Sequence, residues 1–478
     1  MKAVFPIIVL AVCGGILFLS GLGRFTFKDY DEAFYAKVSD EMIASQNYMY
    51  FTHYGDPWLD KPPLLFWLIG MSVQVFGFTE FALRLPGALM GLGTVLLVYA
   101  FAHALTGNRR IALLSASILL TTSQFVYSAR EVRFDVPVSF AILIATYAFF
   151  RGWQKPMWYV GTGIAIASAI LFKSVFVVCI PILFFIFSFV YREWRWVRQP
   201  LFWISSIVGL LLALPWHIAQ YRRYGDVFFS TYLGRHGFDR YVDAFLGARN
   251  ESPLYFLALA GKLLEPWFVL FVVGCFWILA QRKQVRRALL FQPLCATLAS
   301  VAVIVGLLSF SKSKLFYYFD PIYPFFALFL GLCIFIWYER VKPKLHTAFL
   351  GVLAFLFVLG LVNTIWQIFE IREWPRGKEY AIAEDEREIS DVLNRQTISR
   401  KLYTIIHFSW NTIGFYTRIR AEPIEIAELK NTLDEEAFFL LIPTDILGSI
   451  ELSSSILDRA EIIFEGEALT LFSVRAAS

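Results

Sequence analysis

Asp29-Tyr30-Asp31-Glu32 and, later in the same loop, Asp60-Lys61-Pro62-Pro63 are dense charge between two apolar runs, 4–22 and 83–106. The chain around them has 478 residues, of which 58% are hydrophobic, 18% aromatic and only 17% charged. Soluble domains carry about one quarter charged residues, so a soluble globular class is excluded. Charge between such runs marks a loop at a membrane surface, and the expected fold is an all-α polytopic membrane protein.

Crossing about 30 Å of hydrocarbon takes about 20 apolar residues as a helix. About eleven segments qualify, at 4–22, 83–106, 111–128, 135–150, 157–172, 174–190, 201–219, 256–280, 288–310, 319–338 and 345–369. Cytoplasmic connections carry the excess of lysine and arginine. Lys2, Arg109-Arg110, Arg151 with Lys155, Arg192 with Arg195 and Arg198, the 282–287 run, and Arg340 with Lys342 and Lys344 fall on alternate turns of that count. The loops 23–82, 129–134 and 222–255 and the tail are then expected outside, in the periplasm of a bacterial inner membrane.

Gly21-Leu22-Gly23-Arg24 is a poor signal-cleavage site, so the first run reads as an uncleaved anchor. Cys13, Cys179, Cys275, Cys295 and Cys333 all lie in apolar runs, which argues against a disulfide framework or a cysteine metal site. The net charge of +5 matches the inner-loop cations and gives no ground for nucleic acid as a partner.

Composition changes near residue 370. Residues 1–370 read as the transmembrane domain and 371–478 as a small soluble α/β domain. In the latter, Leu402-Tyr403-Thr404-Ile405-Ile406 and Phe438-Phe439-Leu440-Leu441-Ile442 alternate with a polar helical stretch at 384–396. Segment 456–475 predicts a terminal hairpin about Glu465-Gly466-Glu467. No catalytic motif stands out there, and a scaffold or partner surface is the expectation.

In the first outer loop Phe34, Val38 and Met42 recur at helical spacing, which predicts an amphipathic helix from about Asp31 lying on the membrane surface. The run Leu64–Ile69 is too short to span and predicts an interfacial or re-entrant helix. Asp29 with Glu32 also fits a helix capping box, and Asp135 with Pro137 fits a helix start. Against these local readings stands the company: Asp60-Lys61, Arg130-Glu131-Val132-Arg133-Phe134-Asp135, Lys173, Arg235-His236 and Lys312-Ser313-Lys314 with Tyr317-Tyr318 are all expected on the same side. Lysines and arginines at interface depth suit a lipid phosphate whose chain stays in the bilayer. Carboxylates among such cations stay ionised and can take a proton from an attacking hydroxyl. Asp60 or Glu32 with His236 could also hold Mg²⁺, Mn²⁺ or Zn²⁺, although the spacing does not demand it.

Asp31-Glu32, Asp60-Lys61-Pro62-Pro63-Leu64-Leu65-Phe66-Trp67 and Glu80-Phe81-Ala82-Leu83-Arg84-Leu85-Pro86 closely resemble the GT-C glycosyltransferases of the aminoarabinose transferase and protein O-mannosyltransferase superfamily. Ala129–Asp135 resembles its second-loop acidic motif, Leu171-Phe172-Lys173-Ser174 its Leu-x-Lys-Gly segment, and Ser311–Pro324 its late Lys…Tyr…Pro segment. The likeness covers about residues 1–340. It implies transfer of a sugar from a polyprenyl phosphate, on the outer face of the membrane, to lipid A, another glycolipid or a protein. By that resemblance Asp31 is the catalytic carboxylate, assisted by Glu32 and Asp135. Lys61 binds the donor phosphate, with Arg130, Arg133, Lys314 and Tyr318 as further candidates. Aminoarabinose transferases commonly have arginine where this chain has Phe34 and glutamate where it has Asp60, so the donor sugar stays open. The rival classes are a transporter or lipid flippase, which would bury charge mid-membrane within repeated halves, and an inactive scaffold.

Overall fold

The computed structural model describes residues 5–27, 31–232, 234, 252, 254–280, 290–311, 314–369, 377–396, 400–405, 411–417, 419–424, 437–447 and 458–476. The chain forms two compact units, one of Met1–Leu22, Leu59–Val75 and Arg84–Phe369, the other of Gly23–Trp58, Phe76–Leu83 and Glu370–Ser478.

The first unit is helical. Its elements include α1 (Phe5–Leu19), α3 (Leu64–Phe76), most of α4 (Glu80–Thr106), α5 (Arg109–Leu120), α6 (Ser123–Ala129), α7 (Asp135–Gly152), α8 (Trp158–Lys173), α9 (Cys179–Tyr191) and α10 (Pro200–Tyr224). Further helices follow at Phe291–Phe310, Tyr323–Arg340 and His346–Ile368. Helices in lipid gain little from burying apolar surface against one another, so close packing of small residues matters more. A methyl group on Gly163 of α8 would overlap the Ser205 carbonyl of α10, and one on Gly331 would overlap Ser115 of α5. Aromatic rings fill the wider gaps: Phe149 stacks on Phe184 at 4.2 Å and meets Trp196 at 5.3 Å.

Seven helical runs among the described residues are long and apolar enough to cross a membrane, or eight with α5 and α6, which meet at 68°, taken as one broken span. One of the seven is Trp158–Tyr191. At 34 residues it would be about 51 Å long as a single helix, far more than a bilayer needs. Packing shows it to be two antiparallel passes. Tyr159 and Phe184 both contact Phe149 near the end of α7, whereas Lys173, between them, bonds Asp135 at its start. The sequence-based division at 173–174 therefore agrees with the geometry. Among the described residues α1 and Phe268–Ala280 fall at two further runs of the sequence count, with 15 and 13 residues described.

The second unit holds a five-stranded sheet of order β4-β3-β5-β7-β6, from β3 (Leu402–Thr404), β4 (Ala421–Pro423), β5 (Phe438–Pro443), β6 (Ala460–Glu465) and β7 (Leu469–Val474). β3 runs parallel to β4 and β5, while β6 and β7 form the antiparallel hairpin expected from 456–475. Alternate residues of β5 feed opposite faces: Phe439 and Leu441 pack with Ile389 and Leu393, and Phe438, Leu440 and Ile442 with Phe472 and Val474. The helix Gly377–Arg395 is fixed to the hairpin turn by Asp385, whose Oδ2 accepts from the N–H groups of Ala468 and Leu469 at 2.6 and 2.8 Å.

The same unit contains α2 (Asp31–Ser45) and the two-stranded turn of β1 (Thr52–His53) and β2 (Asp56–Pro57). Two readings change here. The sequence assigns all of 23–82 to the membrane domain, yet residues 23–58 and 76–83 pack with the C-terminal segment. The apolar side of α2, expected to lie on lipid, is buried in protein: Ala33, Ala36 and Val38 are fully buried and Met42 nearly so. The partner is the short helix Asn411–Thr417, and periodicity alone cannot distinguish a protein partner from a bilayer.

Candidate functional site

In the first unit, charge gathers at the start of α7. Asp135 is the first residue of α7 rather than its cap, and its Oδ1 accepts from Lys173 Nζ at 2.6 Å. Arg133 Nε lies 2.7 Å from Glu131 Oε2, and its guanidinium stacks 3.9 Å from the Tyr317 ring centroid. Lys173 in turn sits 4.5 Å from the Tyr318 ring. Burying such charges is costly unless they are paired, and here each cation has both a carboxylate and a ring. Phe66, in the first turn of α3, packs on Phe134 at 5.4 Å. Lys61 just before it is 9% exposed and Asp60 is partly buried.

Sequence reasoning missed Asp320. It lies in the short helical segment Phe316–Ile322, is fully buried, and sits within electrostatic reach of Asp135, Arg133 and Lys173 with Ser128 beside it. Ser139 of α7 donates to its backbone carbonyl at 3.1 Å. An acid within an otherwise apolar run was the available signal. Together Glu131, Asp135 and Asp320 surround two cations, Arg133 and Lys173.

Two phosphate candidates have other engagements. Arg130 donates from Nη1 to the carbonyls of Leu17 and Phe18, both at 2.9 Å, and from Nη2 to Ser20 at 2.7 Å. These are carbonyls at the end of α1, which a helix leaves without partners, so Arg130 caps that helix. Lys314, 4% exposed, donates to the Ser311 carbonyl. Tyr318 packs on Lys173 and Phe176.

In the second unit Asp31 is the first residue of α2 and partly exposed, and Glu32 beside it is fully buried. Acids in a first turn are favoured by the helix dipole. Asp29 lies outside the described residues, and with it the capping-box reading. Further along α2, Lys37 pairs with Asp40 at 3.1 Å and Glu41 at 3.7 Å. Glu41 holds the following turn: its carboxylate accepts from Thr52 Oγ1 at 2.6 Å, Tyr54 N at 2.7 Å and Gly55 N at 3.1 Å. Burial would raise the Glu41 carboxyl, but those hydrogen bonds and Lys37 outweigh it and hold the group below the usual carboxylate range. Phe34 stacks on His53 at 3.8 Å.

His236 and Lys312 lie outside the described residues. Among the described residues no three His, Cys, Asp or Glu side chains converge as a metal site.

A family model described as dolichyl-phosphate-mannose-protein mannosyltransferase matches residues 60–218. An uncharacterised Aquifex aeolicus protein is 28% identical over 66% of this chain and 60% of its own length. The undecaprenyl phosphate-alpha-4-amino-4-deoxy-L-arabinose arabinosyl transferase 1 of Pseudomonas fluorescens is 26% identical over 74% of this chain and 63% of its own length. The chain thus spans less than two thirds of the length of these relatives. Among solved structures, ArnT from Cupriavidus metallidurans bound to undecaprenyl phosphate matches with a TM-score of 0.75, 17% identity and 98% coverage of both chains. The apo Archaeoglobus fulgidus oligosaccharyltransferase matches at 0.58, with 12% identity, over 92% of this chain and 69% of that one. The fold is therefore that of the GT-C membrane glycosyltransferases. Its similarity in fold to ArnT runs over nearly the whole of both chains.

Proposed function

We propose that this protein is an integral membrane glycosyltransferase. It moves a sugar from a polyprenyl-phosphate donor to an envelope glycolipid such as lipid A, on the outer face of a bacterial inner membrane, with inversion at the anomeric carbon. The observation that carries the reading is the paired set Lys173–Asp135 and Arg133–Glu131 at one end of α7. The other end of α7 packs with the end of α9 through Phe150 and Tyr191, next to Arg151 and Arg192, and the excess of cations on cytoplasmic turns supports an outward-facing paired set.

The chemistry follows from the leaving group. Phosphate departs readily once its charge is neutralised, and preorganised cations in a dry site do this most effectively. Lys61, Lys173 and Arg133 serve that role, with Asp135 and Glu131 holding Lys173 and Arg133 in place before the anion arrives. Asp31, at a helix start and partly exposed, takes the proton of the attacking hydroxyl, with Glu32 ordering the turn. Should the acceptor be a phosphate, no base is needed and Asp31 orients it instead. The family match over 60–218 favours a protein hydroxyl as the second reading of the acceptor. Mass spectrometry of lipid A from cells with the gene, without it, and with Asp31→Asn tests the first: the sugar adduct is expected only with the unaltered chain. An adduct that is the same in all three strains rejects the lipid A acceptor.

A further inference from the structure

We propose that the Asn411–Thr417 helix of the C-terminal domain is the positioning element for the carboxylates at the start of α2. The proposal rests on the glycosyltransferase reading for its consequence, but its geometry lies within the second unit alone.

The helix takes hold of the chain on both sides of α2. Before α2, the Phe27 ring is fully buried, 5.0 Å edge-on from Phe415 and stacked 6.5 Å from Tyr416. The Phe27 carbonyl accepts from Thr412 Oγ1 at 3.2 Å, a contact between residues 385 apart in sequence, and Thr412 is fully buried. After α2, a methyl group at Gly414 would overlap the Tyr54 hydroxyl and crowd its ring. Tyr54 belongs to the turn that Glu41 ties back to α2, so a shift of Tyr54 is passed to the helix carrying Asp31. The seat is itself fixed. Tyr416 Oη donates to Glu80 Oε1 at 2.6 Å, Arg387 Nη1 donates to the same oxygen at 2.7 Å, and the Arg387 guanidinium lies 4.4 Å from the Tyr416 ring. Phe78 stacks on Phe415 at 5.4 Å.

A helix held at both flanks keeps the carboxylates at its start where a proton is to be taken, and a displacement of about 1 Å can cost about a hundredfold in rate. None of these residues touches substrate, so they act through α2. Turnover should suffer while donor affinity, set by the cations of the first unit, does not.

The test is a double-mutant cycle on the full-length chain in lipid nanodiscs, because residues in contact are coupled and independent ones are not. Gly414→Ala is expected to lower kcat at least tenfold with the donor KM within twofold of the parent. Tyr54→Ala alone is expected to lower kcat only about threefold. The double variant should match Tyr54→Ala, since the overlap is gone. Should Gly414→Ala not fold, Thr412→Val is measured in its place and the same split of kcat from KM is expected. Amide exchange over residues 31–45 reads the positioning directly and should quicken about tenfold in Gly414→Ala, whether or not the chain transfers sugar. An inactive parent chain would therefore overturn the proposed function, not this inference. Exchange unchanged in Gly414→Ala, equal losses in kcat and donor affinity, or a double variant as impaired as Gly414→Ala would each overturn the inference.

Discussion

The two charged regions are built in opposite ways. At the start of α7 each cation is met by an acid and a tyrosine ring: Lys173 by Asp135 and Tyr318, Arg133 by Glu131 and Tyr317. At the start of α2 the acids share a helix turn, with Asp31 partly exposed, and position comes from packing on a helix nearly 400 residues away in sequence. The first arrangement suits an anion that arrives with its own charge and can be exchanged for a carboxylate. The second suits a base, which must be precisely held yet reachable. On the proposed function the cations are thus set by electrostatics and the base by packing, and substitutions should separate the two.

The largest expected effect is on the base. Asp31→Asn should reduce turnover about a thousandfold while leaving insertion and thermal unfolding in detergent unchanged, because a partly exposed first-turn acid contributes only about 0.5 kcal/mol to its helix. Next comes the paired set. Lys173→Met strands Asp135 beside Asp320, and breaking a buried pair costs about 3–5 kcal/mol, so the unfolding midpoint should drop markedly along with donor affinity. Stability lost without donor affinity would show the pair to be purely structural.

Arg130→Ala should cost less, about 2 kcal/mol for its carbonyl bonds to the end of α1, with the donor KM unchanged in the folded fraction. A loss of donor affinity larger than that of Lys173→Met would return Arg130 to the phosphate site. Arg130 shows why roles were harder to read than elements. Its motif, Arg130-Glu131-Val132-Arg133, presents two arginines that look alike in sequence, and only the packing of α1 against the loop sends one to backbone carbonyls and the other to an acid and a ring.

The elements themselves were legible where a period or a long apolar run exists: α2 from Phe34, Val38 and Met42, the β6–β7 hairpin from 456–475, and the break at Lys173 between α8 and α9. Contacts distant in sequence were not. Asp320 reads as a lone interruption of an apolar run until α7 is packed against it. The seat on Thr412, Gly414 and Phe415 carries no charge pattern and could not be distinguished from an ordinary short helix. The same blindness sent the apolar side of α2 to the membrane, since periodicity says which face is buried and not what buries it.

The smallest expected effect is on pH. Glu41 is held below the usual carboxylate value by its bonds to Thr52, Tyr54 and Gly55. A group depressed on folding stabilises fully above its unfolded value, about 4.3, and loses that contribution as pH falls through the lower folded value. Amide exchange at Tyr54 and Gly55 should therefore be unchanged from pH 7 to 5 and quicken below about pH 4, relative to the intrinsic rate, and Glu41→Gln should abolish that dependence.

The central claim is that this chain breaks the bond between a sugar and polyprenyl phosphate in favour of an acceptor. The most direct measurement supplies the purified chain with radiolabelled polyprenyl-phosphate sugar in liposomes, with and without lipid A. Release of free polyprenyl phosphate that requires acceptor and disappears in Asp31→Asn is the expected result. Donor that stays intact with every acceptor offered, or substantial turnover by Asp31→Asn, would contradict the account.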